Sequence, residues 1–506
     1  MAKKTAAHWR PSDVRQPLIS SQVAADLVEQ AAARLERARQ EVLLNAANSG
    51  TDLARAYSDN IDRTILFLWE AVANSVSRAW QPFERMALVA QGGYGRQEMN
   101  LYSDVDLLII IPEDMKEYEE RAVQQIFQLL WDLHLDLGHA TKTVRECLAT
   151  VGSDIDSATA LIEARFLGGN REVFDTMAGR FEEQLRTAKQ RWFLEFRKHD
   201  WEERHGRYGS SVYLLEPNIK QGEGGLRDIH ALRWLAYIAQ GEPTLEALRK
   251  ATLITRPEYD ALQEGMDFLL RVRNQLHILE KRKCDVLSFE KQIRVADALG
   301  YRADATMLAE EQFMRDYYAL ARETFRIGRH VVSDLAEPKR RLPWLRRDKT
   351  LFGALRLRGD EVFVQNQVET YFREEPARLV QIFAVAHDVE ARVADSTRRT
   401  IEQLLEEGLG EDLSANGFAR DAFLDILRSE EGVGEVLRDM HECGVLGAFM
   451  PEFQRLFCMV RADSYHKYTV DEHTLIAVDV ADRLRQGNDT ANEMLQRHGV
   501  PLCGTF

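Results

Sequence analysis

Two aspartates separated by one residue, Asp104 and Asp106, precede a run of aliphatic residues that is typical of a buried strand. Charges are costly at such a position unless an opposite charge compensates them. Side chains at positions i and i+2 of a strand project from the same face, so the two carboxylates would converge. Converging carboxylates bind Mg²⁺ together with substrate phosphates. The spacing therefore predicts a metal-assisted transfer of a phosphoryl or nucleotidyl group.

A glycine pair, Gly92–Gly93, lies upstream of the aspartates and follows a short apolar segment. Because glycine has no Cβ, the backbone amides of this turn would approach a phosphate closely. Arg96 would add the donors of its guanidinium group. We therefore predict that Mg²⁺ carrying a nucleoside triphosphate compensates the two acids.

Each of these features has a simpler explanation when it is taken alone. An Asp-x-Asp is common at exposed strand ends, and a Gly-Gly is more often an ordinary tight turn. The order strand, Gly-Gly, short helix, Asp-x-Asp and apolar strand is much more specific and favours catalysis. A third carboxylate would come from Asp132 or Asp136, of which Asp136 has the better strand position. A solvated acid at a strand end explains Asp136 equally well.

A glycine-rich stretch, KQGEGGLRDIH, precedes a segment that is predicted to be a helix with an apolar face. Lys220 and Arg227 in this stretch would neutralise a triphosphate, with Asp228 or His230 orienting them. The alternative is a structural loop that an Arg227–Asp228 network fastens. His277, farther along the chain, is predicted to be a hydrogen-bonded helix histidine and not a ligand.

Short strands and longer helices must position these residues. The apolar spacing predicts helices over 21–44, 60–76 and 117–133, and strands over 85–90, 103–111 and 135–144. After Asp154 nearly all of the chain is predicted to be helical. The expected fold class is α+β, with a small mixed sheet followed by mostly helical domains.

Composition restricts the class of protein. A chain of 506 residues is too long for one core, and 45% hydrophobic with 29% charged residues is typical of a soluble globular protein. The net charge of −15 argues against a non-specific nucleic-acid or anionic-membrane binder. We find no secretory signal, no apolar run that could span a membrane and no CxxC pair among five cysteines. These features predict a cytoplasmic protein that binds neither nucleic acid nor membranes.

The stretch GGYGRQEMNLYSDVDLLI resembles the signature of polymerase-beta-type nucleotidyltransferases. Its GGxGRxE…SDxDL form is similar to that of the bifunctional PII uridylyltransferase/uridylyl-removing enzymes of bacterial nitrogen control, the GlnD family. Three further stretches resemble the same family in order and separation, namely 217–230, 269–292 and 444–475. The resemblance extends from about residue 60 to about residue 484.

The resemblance implies transfer of UMP from UTP to a tyrosine of the trimeric signalling protein PII. It implies that Asp104 and Asp106 bind Mg²⁺, or Mn²⁺, which activates the tyrosine hydroxyl while pyrophosphate leaves. The nucleotide-binding residues would be Gly92, Gly93, Arg96, Ser103, Lys220 and Arg227. Nothing in the sequence reads the base directly, so an adenylyltransferase is an open alternative. A non-catalytic remnant that binds nucleotide, or a regulatory interaction protein, is the alternative from another functional class.

On this basis we predict six segments along the chain. They are an N-terminal helical lead (1–59), a nucleotidyltransferase domain (60–155), a helical domain that completes the uridylyltransferase region (156–336), a linker with two prolines (337–350), a helical connecting region (351–462) and the start of an all-α HD domain (463–506).

A fragment of a second site is predicted in this last segment. YTVDEH is typical of a helix start, with Thr469 at the N-cap and Glu472 completing a capping box. The resemblance implies that His473 is the first metal ligand of an HD-type phosphohydrolase domain, which removes UMP from PII.

One imidazole cannot hold a metal, and no His-Asp pair follows His473 in the sequence; of the histidines, only His498 does. The earlier pairs His199–Asp200 and His387–Asp388 are predicted to be solvated. We therefore expect the chain to be truncated within the HD domain, to lack glutamine-sensing domains, and to have lost the uridylyl-removing activity.

Overall fold

The computed structural model describes residues 18–75, 83–208, 211–336, 348–457, 459 and 468–485. They divide into two compact units. The first comprises the described parts of Met1–Val212, Asn218–Asp304 and Leu320–Ala336. The second comprises the described parts of Tyr213–Pro217, Ala305–Ala319 and Glu337–Phe506.

The first unit contains a mixed four-stranded sheet in the order β3-β2-β1-β4. The strands are β1 (Ala87–Gln91), β2 (Val105–Ile111), β3 (Leu137–Thr143) and β4 (Arg165–Gly169). β1 is antiparallel to both β2 and β4, whereas β2 and β3 are parallel. The small mixed sheet is thereby confirmed, although β4 was not predicted, because RFLGG is short and ends in two glycines.

Helices surround this sheet and continue beyond it. Up to residue 336 they are α1 (Ser21–Asn45), α2 (Gly50–Ser75), α3 (Gly92–Gly95), α4 (Glu117–Asp132), α5 (Val144–Ala149), α6 (Ile155–Ile162), α7 (Arg171–Glu183), α8 (Gln190–Tyr208), α9 (Leu226–Gln240), α10 (Leu245–Lys250), α11 (Arg256–Glu280), α12 (Phe289–Ala298) and α13 (Ala309–Ala336).

One hydrophobic core joins α1, α2 and α4 to the sheet. α2 buries Ile61, Ile65, Leu68 and Val72, which recur at helical spacing on one face. β2 is buried over most of its length, which explains its unbroken aliphatic run. α2 begins at Gly50, ten residues before the predicted start, so the predicted domain boundary at residue 60 falls inside this helix. The other boundaries remain predictions.

The second unit is mostly helical and has its own core. Its helices after residue 348 are α14 (Val368–Glu374), α15 (Arg378–Asp388), α16 (Asp395–Glu406), α17 (Gly417–Arg428), α18 (Val433–Glu442), α19 (Val445–Phe449), α20 (Pro451–Gln454) and α21 (Val470–Arg485). It also holds a second sheet, made of β5 (Lys349–Thr350), β6 (Leu355–Arg358), β7 (Glu361–Val364) and β8 (Arg392–Val393).

This second sheet and β4 correct the expectation of a nearly all-helical chain after Asp154. Strands of two to five residues are too short to show a clear alternation of apolar and polar residues. Most of the predicted linker and His498 lie outside the described residues. In the described part of the chain, every helix is too short or too polar to cross a bilayer.

Candidate active site

The predicted acids lie along one edge of the sheet in the first unit. β1 ends at Gln91, which pairs with Asp106 of β2, and Ala90 pairs with Arg165 at the start of β4. β3 starts beside β2, where Asp106 pairs with Gly138. In sheet order, this edge carries Asp136, then Asp104 and Asp106, then Gly92, and then Glu163.

The carboxylate of Asp106 is held between two glycines. A Cβ on Gly92 would lie 2.7 Å from Asp106 Oδ2, and a Cβ on Gly138 would overlap Oδ1. Gly92 also has a φ of +58°, which favours glycine. A glycine is therefore required at position 92 to make room for this carboxylate, whether or not Gly92 also contacts a phosphate. At Gly93 the nearest neighbour of an added Cβ would be Arg96 Nη2 at 3.7 Å, so the chain itself leaves room there.

Asp104 and Asp136 occupy equivalent positions, each directly before a strand. β2 starts at Val105 and not at Ser103, so Asp104 precedes the strand instead of lying within it. The ammonium of Lys283 contacts Asp104 Oδ1 and lies 2.5 Å from Asp136 Oδ2. All three side chains are partly exposed. One lysine cation thus bridges two acids at the open edge of the sheet.

The electrostatic surroundings of Asp106 are short of positive charge. Burial, followed by the negative charges of Asp104 and Glu163, raises the pKa of Asp106 to about 6. The charges of Arg96 and Lys283 oppose this increase without cancelling it. A further cation near Asp106 would stabilise its ionised form.

The three carboxylates fit a divalent metal ion. Hard cations prefer carboxylate oxygens and commonly keep water and substrate phosphates as additional ligands. Asp104, Asp106 and Asp136 would hold the ion, and the ammonium of Lys283 stands in for it between two of them. Within the described ranges, no three His, Cys, Asp or Glu side chains already converge as a metal site. An ion shared by Asp104 and Asp136 would take the position that the Lys283 ammonium occupies between them.

Arg96 lies in a buried ion-pair network beside the glycine pair. Its Nε is 2.7 Å from Glu98, and its Nη1 is 2.5 Å from Glu163. Glu98 also lies 2.8 Å from His230 Nε2 and contacts Arg233. The predicted role of Arg96 toward a phosphate is thereby confined to Nη2, which faces Gly93. His230 was expected to orient Lys220 or Arg227. It contacts Glu98 instead.

The glycine-rich loop contributes two poorly neutralised cations. Within the described residues, neither Lys220 nor Arg227 forms an ion pair with a carboxylate, and Arg227 packs 5.4 Å from the ring centre of Trp234. Burial and then the charge of Arg273 lower the pKa of Lys220 to about 8. Burial and then the charge of Arg96 lower the pKa of Arg227 to about 10. A bound anion would relieve this repulsion.

Asp228 fastens the loop through residues other than Arg227. Its Oδ1 accepts a hydrogen bond from Arg204 at 2.5 Å and lies 3.0 Å from His205 Nε2. Its Oδ2 accepts from the Gly224 amide at 2.8 Å. The alternative of an Arg227–Asp228 network is therefore wrong. Asp228 pairs with Arg204 of α8 and not with Arg227.

The remaining predicted residues differ in their burial and in their contacts. Ser103 Oγ accepts a hydrogen bond from the Asn100 amide at 3.3 Å. His277 is buried on α11 and contacts the Leu101 carbonyl, as expected for a hydrogen-bonded helix histidine. His199 is 73% exposed, as expected for a solvated residue. His387 is partly buried, and Asp388 beside it is exposed.

His473 lies in the first turn of α21, in the second unit, and is partly buried. Its amide donates to the Thr469 carbonyl at 2.8 Å, so the helix starts where the sequence predicts. The predicted capping box does not form, since Thr469 Oγ1 is buried without a hydrogen-bond partner among the described residues. His473 also belongs to no metal-binding group within the described part of the chain. Its predicted role as an HD ligand stays a prediction.

Three residues of this region escaped the sequence analysis. Gly138 carried a usable signal, because a glycine inside a strand often marks a close approach of neighbouring groups. Lys283 lies within a stretch that resembles the family, but nothing in its own position indicated a contact with Asp104. Glu163 carried no signal, since its contact with Arg96 depends on the unpredicted strand β4.

Family models match three parts of the chain. The model described as "Nucleotidyltransferase domain" matches residues 70–161, which include the glycine pair and all three acids. The model described as "GlnD PII-uridylyltransferase" matches residues 192–331, and the one described as "Uridylyltransferase GlnD third domain" matches residues 358–449.

A curated relative is similar over most of this chain. It is the bifunctional uridylyltransferase/uridylyl-removing enzyme of Novosphingobium aromaticivorans, which is 32% identical over 461 residues. The alignment covers 88% of this chain and 50% of the relative. The chain thus spans about half the length of the curated relative that it matches.

Proposed function

Because the chain belongs to the GlnD uridylyltransferase family, we propose that it transfers UMP from UTP to a tyrosine of the PII signalling protein and releases pyrophosphate. The observation that carries the proposal is the position of Asp106 between Gly92 and Gly138, beside Asp104 and Asp136 at the open edge of the sheet. This arrangement places three carboxylates at the same end of the strands, next to the glycine turn.

Asp104, Asp106 and Asp136 would hold the divalent metal, for which we propose Mg²⁺, with Mn²⁺ as a possible substitute. When bound, the metal supplies positive charge to the reacting phosphate and lowers the pKa of the attacking hydroxyl. The raised pKa of Asp106 supports this assignment, since the carboxylate lacks enough positive charge in the chain alone. Lys283 would leave Asp104 and Asp136 as the metal binds.

The poorly neutralised cations would bind the triphosphate. Lys220 and Arg227, together with Arg96 Nη2, would neutralise the β- and γ-phosphates, and Gly93 would admit them to the backbone. In the reaction the tyrosine oxygen forms a bond to the α-phosphorus while the bond to the β-phosphate oxygen breaks. The phenolic proton goes to solvent, and pyrophosphate departs with its charge held by the same cations.

The proposal is confined to the transferase reaction. The described residues include His473 but no group of three metal-binding side chains around it. The reaction would take place in the cytoplasm, where the thiol state of Cys147 and Cys284 is expected.

Incubation of the chain with PII, Mg²⁺ and labelled UTP tests the proposal. We expect label on a tyrosine of PII, and no label on a PII variant in which the tyrosines are replaced by phenylalanine. A parallel reaction with labelled ATP tests the base, and label from ATP alone would make the chain an adenylyltransferase. Bound nucleotide without transfer would contradict the proposal and favour a non-catalytic remnant.

A further inference from the structure

A cavity of about 420 Å³ opens beside Asp136 in the first unit. We call it the Asp136 cavity, and it is lined by Arg39, Tyr57, Ile61, Met99, Tyr102, Ser103, Val105, His134, Leu135, Asp136, Lys281, Arg282 and Lys283. Its volume lies in the range of about 300–1,000 Å³ that ligand-binding cavities usually have. Apart from Asp136 and Lys283, its lining residues take no part in the transfer reaction described so far.

The lining of the Asp136 cavity is basic although the chain is acidic. Four lysine or arginine side chains and one histidine line it, against Asp136 as the one acid of the lining. Arg282 has Glu280 at 3.4 Å and is 76% exposed, so this ion pair is weak. With a net charge of −15, most of the chain would repel an acidic ligand. The Asp136 cavity is a local exception.

Three lining residues adopt a backbone conformation that side chains rarely take. Tyr102, His134 and Lys281 have φ values of +63°, +56° and +52°. Non-glycine residues in this region cost free energy and concentrate at binding and catalytic sites. Tyr102 is also 43% exposed, unusually much for a large aromatic side chain. The conformations hold an aromatic ring and two basic side chains around one opening.

The order of the strands and the position of Arg227 place the Asp136 cavity and Arg227 on opposite sides of the acids. Asp136 precedes β3 at one end of the sheet, whereas Glu163 lies just before β4 at the other end. Glu163 and Arg227 line a separate cavity of about 310 Å³ on that second side. Asp104, directly before β2, and Asp106, on β2, lie between Asp136 and Glu163 in the order of the sheet.

In-line transfer makes these two sides inequivalent. The attacking and leaving oxygens lie roughly opposite each other across the phosphorus. If pyrophosphate leaves toward Arg227, the attacking hydroxyl must arrive from the side of Asp136. The cavity on that side is therefore in position to hold the acceptor and not the leaving group.

We propose that the Asp136 cavity binds the acceptor segment, in which the modified tyrosine is flanked by acidic side chains. Lys281 and Arg282 pair with those acids, Tyr102 packs against the segment, and Lys283 lies next to the phenolic oxygen once it has left Asp104. This inference deepens the proposed function and rests on it for the identity of the acceptor.

The test is a charge-reversal variant, Lys281→Glu/Arg282→Glu, compared with Arg191→Glu/Arg302→Glu. The control arginines are 90% and 69% exposed, lie outside the Asp136 cavity, and change the net charge by the same amount. Purified PII is the probe. Its binding is measured by fluorescence anisotropy without nucleotide, and its KM and that of UTP are measured in the transfer assay.

We expect the cavity variant to weaken PII binding and to raise the KM for PII by about tenfold, because like charges then face the acidic segment. The KM for UTP and the kcat at saturating PII stay within about twofold of wild type, and the control variant matches wild type throughout. The binding difference should shrink as salt is added.

Failure of this inference can be told apart from failure of the proposed function. Wild-type transfer with equal PII binding by both double variants overturns the inference and leaves the function standing. A rise in the KM for UTP alone also overturns it and assigns the cavity to the nucleotide. If the wild-type chain binds PII without transferring UMP, and the cavity variant binds PII more weakly, the inference is supported and the proposed function is overturned. Absence of both binding and transfer overturns the two together.

Discussion

Two acidic clusters in this chain differ in how far they are buried. At the sheet edge of the first unit, Asp104 and Asp136 share the exposed ammonium of Lys283, and Asp106 has too little compensation. At the start of α21 in the second unit, the acids lie against the basic side chains of α18. There Asp471 lies 3.3 Å from His441, and Glu472 lies 3.6 Å from Arg438.

The difference decides which acids a ligand can reach. Asp471 is fully buried and faces a buried histidine, an arrangement that a ligand cannot enter without disrupting the packing of two helices. Asp104 and Asp136 are 47% and 66% exposed, and their lysine partner can swing into solvent. Acids that are compensated by a removable cation are the ones available to a metal ion.

Replacement of Asp106 by asparagine should have the largest effect. Asparagine keeps the shape between Gly92 and Gly138 but removes the charge that would bind the metal. We expect transfer to fall by at least about 10³-fold, with an unchanged circular dichroism spectrum and melting temperature. Asp114→Asn, at an acid that is 80% exposed, is the matched control and should retain full activity. Wild-type rates in Asp106→Asn would refute the assigned role.

Replacement of Asp471 by alanine should show the reverse pattern. It removes the acid that lies 3.3 Å from the buried His441, and we expect the free energy of unfolding to fall by about 3 kcal/mol. Activity per folded molecule should not change, because Asp471 belongs to the structural cluster. Denaturant unfolding and the transfer assay measure the two quantities. Asp425→Ala, an exposed acid of the same unit paired with Arg428 at 3.3 Å, should cost less than about 0.5 kcal/mol.

Gly92→Ala tests whether the glycine turn is needed to make room for the Asp106 carboxylate. The added Cβ would press on Asp106 Oδ2 and would strain a residue with a φ of +58°. We expect kcat to fall by about 10- to 100-fold and the metal concentration for half-maximal activity to rise. Gly93→Ala has space in the chain, so it should raise the KM for UTP without changing the metal requirement. Identical behaviour of the two variants would argue against separate roles.

The pH dependence of kcat/KM for UTP should follow the ionisation of Lys220. Its pKa of about 8 is lowered by burial and then by Arg273, so the side chain is mostly charged below pH 8 and loses its charge as the pH rises above it. We expect kcat/KM for UTP to decrease by up to about tenfold between pH 7 and pH 9. Lys220→Arg stays charged over this range and should abolish the decrease. A decrease that persists in this variant would assign it to another group.

Local sequence was sufficient for the central part of the site. The aliphatic run of β2, the glycine pair and the Asp-x-Asp spacing all lie within about twenty residues, so short-range rules predicted their order. Hydrophobic periodicity likewise predicted α1, α4 and the three strands β1 to β3 to within a few residues. α2 was predicted too short, although its first ten residues already bury Leu53, Ala54 and Tyr57.

Contacts between distant segments decided the rest. The identity of the cation that bridges Asp104 and Asp136 depends on a lysine almost 180 residues away in the sequence. The partner of Asp228 and the position of Glu163 depend on α8 and β4, which carry no local signal of those contacts. Residue types and spacing by themselves determined which groups could do the chemistry. Only the tertiary structure decided which charges remain uncompensated, because burial and proximity set the electrostatic free energy of each ionised group.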